Sequence, residues 1–287
     1  MSTTTRRKAT LQRGERRVNG ISFVVMTLLA VLMMIPIYYL LVTTFKTPAE
    51  SAASPMGLPS KIDFSGYVNA WNVMEYPRAF ANTAFITVVA VLGTIVFAAM
   101  AGYVLNRKAK SRLATITFLL FLSGLMFPYQ MGIMGMYSLI RSMGLMDTHW
   151  AVILINIAVN TPFAIFLFYA FTGTIPKELE EAAEIDGAGV FRRFVTIIFP
   201  LLRPVVVTVA ILTTLNVWND FMGPLYFLQS REKQVILQEV YRNVGQFSTD
   251  WTAMFPMMVL GVLPLLLFYV IMQRYIIGGV IAGALKG

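Results

Sequence analysis

The sequence predicts an all-α polytopic membrane protein with six transmembrane helices, and three observations carry that prediction. The 287 residues are 57% hydrophobic and only 13% charged, with a mean hydropathy of +0.69, outside the range of soluble globular chains. The apolar residues gather into six runs. Each is about twenty residues long, enough to cross a hydrocarbon core of about 30 Å at 1.5 Å per residue. The basic residues, finally, are divided unevenly among the segments between those runs.

Taken in order, residues 1–20 are polar and basic, with Arg6, Arg7, Lys8, Arg13, Arg16 and Arg17 against Glu15, a composition that predicts a disordered cytoplasmic tail. Ile21 to Phe45 is the first span. It exceeds the 7–15 residues of a signal-peptide core and reads as a retained helix. Residues 46–80 are a polar connection with four prolines, and Tyr67, Trp71 and Tyr76 are placed to lie at an interface. The second span runs from about Asn82 to Leu105, and its Gly93, Ala98, Ala99, Ala101 and Gly102 permit close helix approach. A basic turn from Asn106 to Arg112 leads to the third span, roughly Leu113 to Met136, with Pro128 and Gly132 as kink points. The fourth covers roughly Ala151 to Phe171, the fifth Val205 to Phe227 and the sixth Ala253 to Gln273. A tail of small and apolar residues, 274–287, ends in Lys286 and Gly287.

The net charge of +9 raises the question of nucleic acid, and its distribution answers it. With the N-terminus inside, the inner segments hold sixteen Lys and Arg residues and the outer segments seven. That asymmetry sets orientation, with both termini cytoplasmic, and no nucleic-acid partner is expected. The absence of cysteine excludes disulfides, thiolate metal sites and cysteine nucleophiles. The single histidine, His149, leaves little for a metal centre or a triad and is expected to be solvated in an outer loop. Trp150, Trp218 and Trp251 fall where interfacial anchors lie.

Some polar residues fall inside spans. Asp220 in the fifth is costly there if unpaired, Asn216 lies one turn earlier on the same face, and Asn219 is adjacent. Asn156 and Asn160 share a face of the fourth span. All five are candidates for a translocation path. Bracing between helices is the alternative role for each.

One stretch between the fourth and fifth spans is rich in acids: Glu178, Glu180, Glu181, Glu184 and Asp186, interleaved with Ala182, Ala183 and Ile185. It predicts a two-turn helix ended by Gly187 and Gly189, too short and too charged to cross a bilayer. Glu181-Ala182-Ala183, then Gly187, then Pro200-Leu201-Leu202-Arg203-Pro204 resemble the signature of ATP-binding-cassette (ABC) importer permeases. The resemblance extends over roughly residues 45–287. It takes in the run from Ala101 to Lys108, Met143 to Thr148, Asn216 to Phe221, and Gln273-Arg274-Tyr275 with Ala282 to Gly287. These are similar to the smaller of the two maltose-type permease subunits of carbohydrate importers. The segment Gln234 to Tyr241 and the pair Gly278-Gly279 depart from that pattern.

The resemblance implies a type I ABC importer permease fold, with residues 78–273 as the permease core and 21–77 as a first helix and outer loop. It makes the acidic helix a cytoplasmic coupling helix in which Glu180, Glu181, Ala182, Ala183, Asp186 and Gly187 dock onto an ATPase. Lys286 and Gly287 in the tail are added to that surface. The implied partners are a second permease subunit, two ATP-binding cassette ATPases, an extracytoplasmic solute-binding protein and membrane lipid. No cofactor is expected on this chain. ATP and Mg belong to the partner ATPase, since no Gly-x-x-x-x-Gly-Lys-[Ser/Thr] loop occurs here. A sugar or oligosaccharide is the expected cargo. A polyamine, phosphate or amino acid is the alternative within the family, and a polytopic enzyme or channel the alternative outside it.

Overall fold

The computed structural model describes the backbone of residues 3–243 and 250–284, and the side chains of residues 20, 22–243 and 250–273. Lys286 and Gly287 lie outside the described residues. Fourteen α-helices occur among the described residues, and no strand. They are α1 (Thr3–Thr43), α2 (Pro48–Ala53), α3 (Ser65–Val73), α4 (Tyr76–Arg107), α5 (Arg112–Gly124), α6 (Ile133–Ser142) and α7 (His149–Thr172). They continue with α8 (Glu178–Ile185), α9 (Val190–Arg193), α10 (Phe199–Leu201), α11 (Arg203–Trp218), α12 (Met222–Phe227), α13 (Ile236–Arg242) and α14 (Trp251–Ala284). Among the described residues four are long and apolar enough to cross a bilayer, and the number reaches six if each of two bent pairs counts as one span.

Two compact units are present, residues 1–70 with 245–259, and residues 71–244 with 260–287. In the first, α1 is helical from Thr3, where the sequence predicts a disordered tail. The segment holds no proline, and five Arg with single Lys, Gln, Glu, Ala and Leu residues, all good helix formers, let the span extend. Side chains from Ser22 to Tyr38 are exposed, an apolar surface suited to lipid. Beyond α1, Thr47 caps α2 in a reciprocal box with Glu50. The buried Lys46 ammonium donates to the carbonyls of Ser54 (2.8 Å) and Pro55 (3.0 Å). Tyr67 packs on Phe45 and Phe64 instead of standing alone at an interface.

The second unit is built on α4 lying along α7. The small residues expected to allow close approach do so: a Cβ on Gly102 would stand 2.7 Å from Phe168 Cβ and 2.9 Å from the Tyr169 amide nitrogen. Ala98 and Ala99 are buried beside Ile165 and Phe168, and nearer the other end Ile86 and Ala90 meet Val152 and Ile153. Tyr76 is buried and donates from its hydroxyl to the Leu260 carbonyl, so its expected interfacial position is corrected. Trp218 is likewise buried, its indole N–H on the Gly261 carbonyl at 3.4 Å, whereas Trp150 and Trp251 are exposed. His149 is half-buried, with Nε2 3.2 Å from the Lys233 carbonyl, and is not a freely solvated side chain.

Three predicted spans change shape. The third breaks after Gly124. A 3₁₀ turn at Tyr129–Gly132 leads into α6, and the two arms are bent by 94°. Pro128 has no amide to donate and restricts the residue before it, so the predicted kink becomes a break. The fifth ends at Trp218 and resumes at Met222. Asn219 and Asp220 carry short polar side chains that compete for the backbone. Asn219 Nδ2 donates to the Leu215 carbonyl, and Asp220 Oδ1 accepts from the Gly223 amide at 3.0 Å. Before it, the segment Val190–Leu201, which contains a π turn at Phe194–Ile198, meets α11 at 75°, with Pro204 in the first turn of α11. The sixth continues as one helix to Ala284 instead of stopping at Gln273, no proline intervening.

Candidate functional site

The acid-rich stretch folds as α8, with Glu178, Glu180 and Glu181 in its first turn, where the helix dipole favours negative charge. It ends as predicted. Gly187 has φ +80°, its amide bonds Glu184 O and the Ala188 amide bonds Ala183 O, both at 2.9 Å, which completes a Schellman motif. Gly189 is extended and starts α9.

The faces of α8 divide the six candidates. Glu181, Ala182, Asp186 and Gly187 are exposed, in line with Ile185, which is 87% exposed. Leu179, Val190 and Phe191 extend this apolar surface. Glu180 and Ala183 are only 9% and 8% exposed and face inward. Three residues apart, they share the opposite side of the helix. The Glu180 carboxylate is held by Arg107 (2.6 Å) and by the Tyr103 hydroxyl (2.6 Å). Glu184 pairs with Arg193.

A cavity of 530 Å³ lies among Tyr129, Gln130, Asn156, Asn160, Asn216, Asn219 and Asp220, with Ile155, Val159, Leu215, Phe221 and Met222 as its apolar lining. All five polar residues singled out in the fourth and fifth spans thus converge. Asp220 is not deep in a helix but in the break between α11 and α12. Its Oδ1 accepts from Tyr129 Oη at 2.9 Å and its Oδ2 from Asn156 Nδ2 at 3.0 Å. Asn156 also donates to the Val152 carbonyl and Asn160 to the Asn156 carbonyl. Asn216 Nδ2 donates to Asn160 Oδ1. The five therefore brace the break and line the cavity at once. Among the described residues no Lys, Arg or His lines it.

Residues 94–281 match the family of binding-protein-dependent transport system inner membrane components. The chain belongs to that family. It is 32% identical to the diacetylchitobiose uptake system permease protein NgcG of Streptomyces coelicolor, over 95% of this chain and 90% of the relative. It is 32% identical to the melibiose/raffinose/stachyose import permease protein MelC of Bacillus subtilis, over 92% and 96%. The fold is similar to that of a bacterial ABC transporter involved in import of the acidic polysaccharide alginate, with TM-score 0.81 at 23% identity, covering 92% of this chain and 98% of that one. This permease is thus an inner membrane component with the type I ABC importer permease fold.

Sequence reasoning missed Tyr103, Arg107 and Tyr129. The run containing Tyr103 and Arg107 is prominent in the sequence, but nothing local pairs Arg107 with an acid 73 positions away. Also unforeseen is a network of Glu75, Arg78, Arg231 and the fully buried Glu239. Its Glu239 lies in the segment Gln234 to Tyr241, which departs from the family pattern. Gln238 there donates to the carbonyls of Pro224 (3.0 Å) and Leu228 (3.2 Å).

Proposed function

We propose that this permease forms half of the translocation pathway of an ATP-driven importer of a sugar or oligosaccharide, paired with a second permease. Two ATPase subunits act below it and a solute-binding protein delivers cargo above. ATP and Mg are bound by the ATPases. Both termini and α8 face the cytoplasm, in keeping with the bias of basic residues. The observation that carries the reading is the exposed face of α8, a short helix closed by Gly187 and presenting Glu181, Ala182, Ile185 and Asp186 to a partner. Low-profile Ala182 can enter a cleft, with acceptors at its edges. Lys286 and Gly287 belong to the same contact in this proposal.

The relatives' cargoes, diacetylchitobiose and the melibiose group, support a carbohydrate. So does the cavity, whose amides, phenol, Asp220 carboxylate and apolar walls suit a polyhydroxyl solute, whereas among the described residues no basic side chain lines it to attract phosphate. The test is co-expression with an ATPase, a second permease and a binding protein of the same importer. The ATPase should be recovered with this chain in mild detergent, and cells should accumulate radiolabelled raffinose or diacetylchitobiose. Recovery without an ATPase would count decisively against the reading.

A further inference from the structure

We propose that Arg107 is the joint between the docking helix and the membrane-embedded core, a positioning residue for coupling; this rests on the permease reading above. Its guanidinium serves three separate pieces of chain. Nε donates to Glu180 Oε1 of α8 at 2.6 Å. Nη1 donates to the Thr172 carbonyl at the end of α7 at 3.2 Å, and Nη2 to the Ile175 carbonyl in the α7–α8 connection at 3.1 Å. The last carbonyls of a helix have no partner within it, and a cation there also meets the negative end of the helix dipole. Asn106 completes the cap by donating to the Tyr169 carbonyl at 3.0 Å.

The second Glu180 oxygen is taken by Tyr103, one turn before Arg107 on α4. Both carboxylate oxygens of Glu180 therefore belong to one face of α4. The Arg107 and Glu180 side chains are 13% and 11% exposed, so solvent screens this pair little. A planar fork with several fixed donors holds three acceptors in one geometry, which a lysine ammonium on its flexible stem does not. A push on the exposed face of α8 must displace Glu180, and Glu180 cannot move without α4 and the end of α7. On the α7 side the covalent tether, Gly173 to Lys177, is a short non-helical connection; on the other, α8 continues into α9, with Glu184 paired to Arg193. The docking face itself does not touch Arg107, so recognition of the ATPase and transmission of its motion are separate tasks.

The test uses the full chain assembled with its second permease and ATPases. The chain contains no cysteine, so Met222→Cys places a single reporter in the cavity wall. With Arg107 present, its rate of labelling by a maleimide changes when ATP and vanadate are added. Arg107→Gln should recover the ATPase in normal yield yet lose that ATP-dependent change, and Arg107→Lys should lose most of it. Arg107→Gln leaves Glu180 as an unpaired buried carboxylate, which can lower abundance. Arg107→Gln with Glu180→Gln removes that charge and should restore abundance without restoring the labelling response. A full ATP-dependent change in Arg107→Gln, or its return in the double variant, overturns the proposal. Failure of the Met222→Cys chain with Arg107 intact to recover any ATPase overturns the permease reading instead.

Discussion

Asn216 donates a 3.1 Å hydrogen bond to Asn160, joining α11 to α7 across 56 positions of sequence. Through Asn160 and Asn156 this link runs on to Asp220 and Tyr129, so the two broken spans are tied to one another at the cavity. Asp220→Asn keeps one accepting oxygen and sets an N–H₂ against the donors at the other position, either Asn156 Nδ2 or Tyr129 Oη and the Gly223 amide. An unsatisfied buried donor costs about 1–3 kcal/mol. Membrane insertion should survive and sugar uptake should fall. Uptake by Asp220→Asn at the unmodified rate would reduce the carboxylate to a bystander.

Gly187 adopts φ +80° where no neighbouring atom crowds a Cβ, so backbone strain alone penalises a side chain there. Gly187→Leu costs about 1 kcal/mol or more and distorts the end of α8. The expected outcome is a normally abundant transporter that hydrolyses ATP without proportional uptake. Unaltered uptake per ATP would reduce α8 to an ordinary loop helix.

Gly102 and Gly93 both face α7, and their substitution should differ. A Cβ at 102 collides with the Phe168 Cβ and Tyr169 backbone, whereas at 93 it meets the Ile157 Cδ1, a movable side-chain tip. Gly102→Ala should destabilise by about 1–3 kcal/mol through forced separation of the helices. Gly93→Ala should be milder. Thermal denaturation in detergent compares the two, and equal loss would contradict the packing described.

The Asp147 carboxyl joins two connections, accepting from the Gln229 and Ser230 amides at 2.8 and 2.9 Å and from Lys233 at 3.2 Å. Desolvation pushes its pKa up, but the Ser230 side chain and amide, the Gln229 amide and Lys233 together hold it well below the ordinary carboxylate value. A depressed folded pKa contributes stability above the unfolded value, about 3.9, and loses it as pH falls through the folded one. Between pH 7 and about 4 the melting temperature should exceed that of Asp147→Asn by a constant margin, shrinking in more acidic buffer. A margin that widens with acid would refute the sign.

Topology is tested by reporter fusions. Those after Lys108 and Arg193 should report cytoplasm, and those near Lys61 and Lys233 the outer side. A cytoplasmic signal from Lys61 would invert the proposed arrangement.

Local physics made much of this legible. Apolar length marked the spans, the small residues around Gly102 marked a helix contact, and Gly187 marked the end of α8. The i, i+4 spacing put Asn156 and Asn160 on one face. What stayed hidden depends on partners distant in sequence. Which of Glu180 and Glu181 turns inward is decided by Arg107, and neighbouring acids look alike without it. A proline announces a disturbed helix, but whether Pro128 kinks or breaks it depends on what Tyr129 can reach, here Asp220. Trp218 read as an interfacial anchor because nothing local discloses that Gly261 lies against its ring.

The helix α4 has 32 residues, about 48 Å at 1.5 Å per residue, longer than the hydrocarbon it crosses. It is gripped at both tips: by Glu180 through Arg107 at one, and by Glu239 through Arg78 at the other. A rod clamped in this way acts as a lever. A tilt of about 5° at one tip carries the other through about 4 Å over that length, more than the reach of a hydrogen bond. Small rocking at the α8 end is therefore sufficient to make or break polar contacts at the opposite end, with no helix unwinding between them.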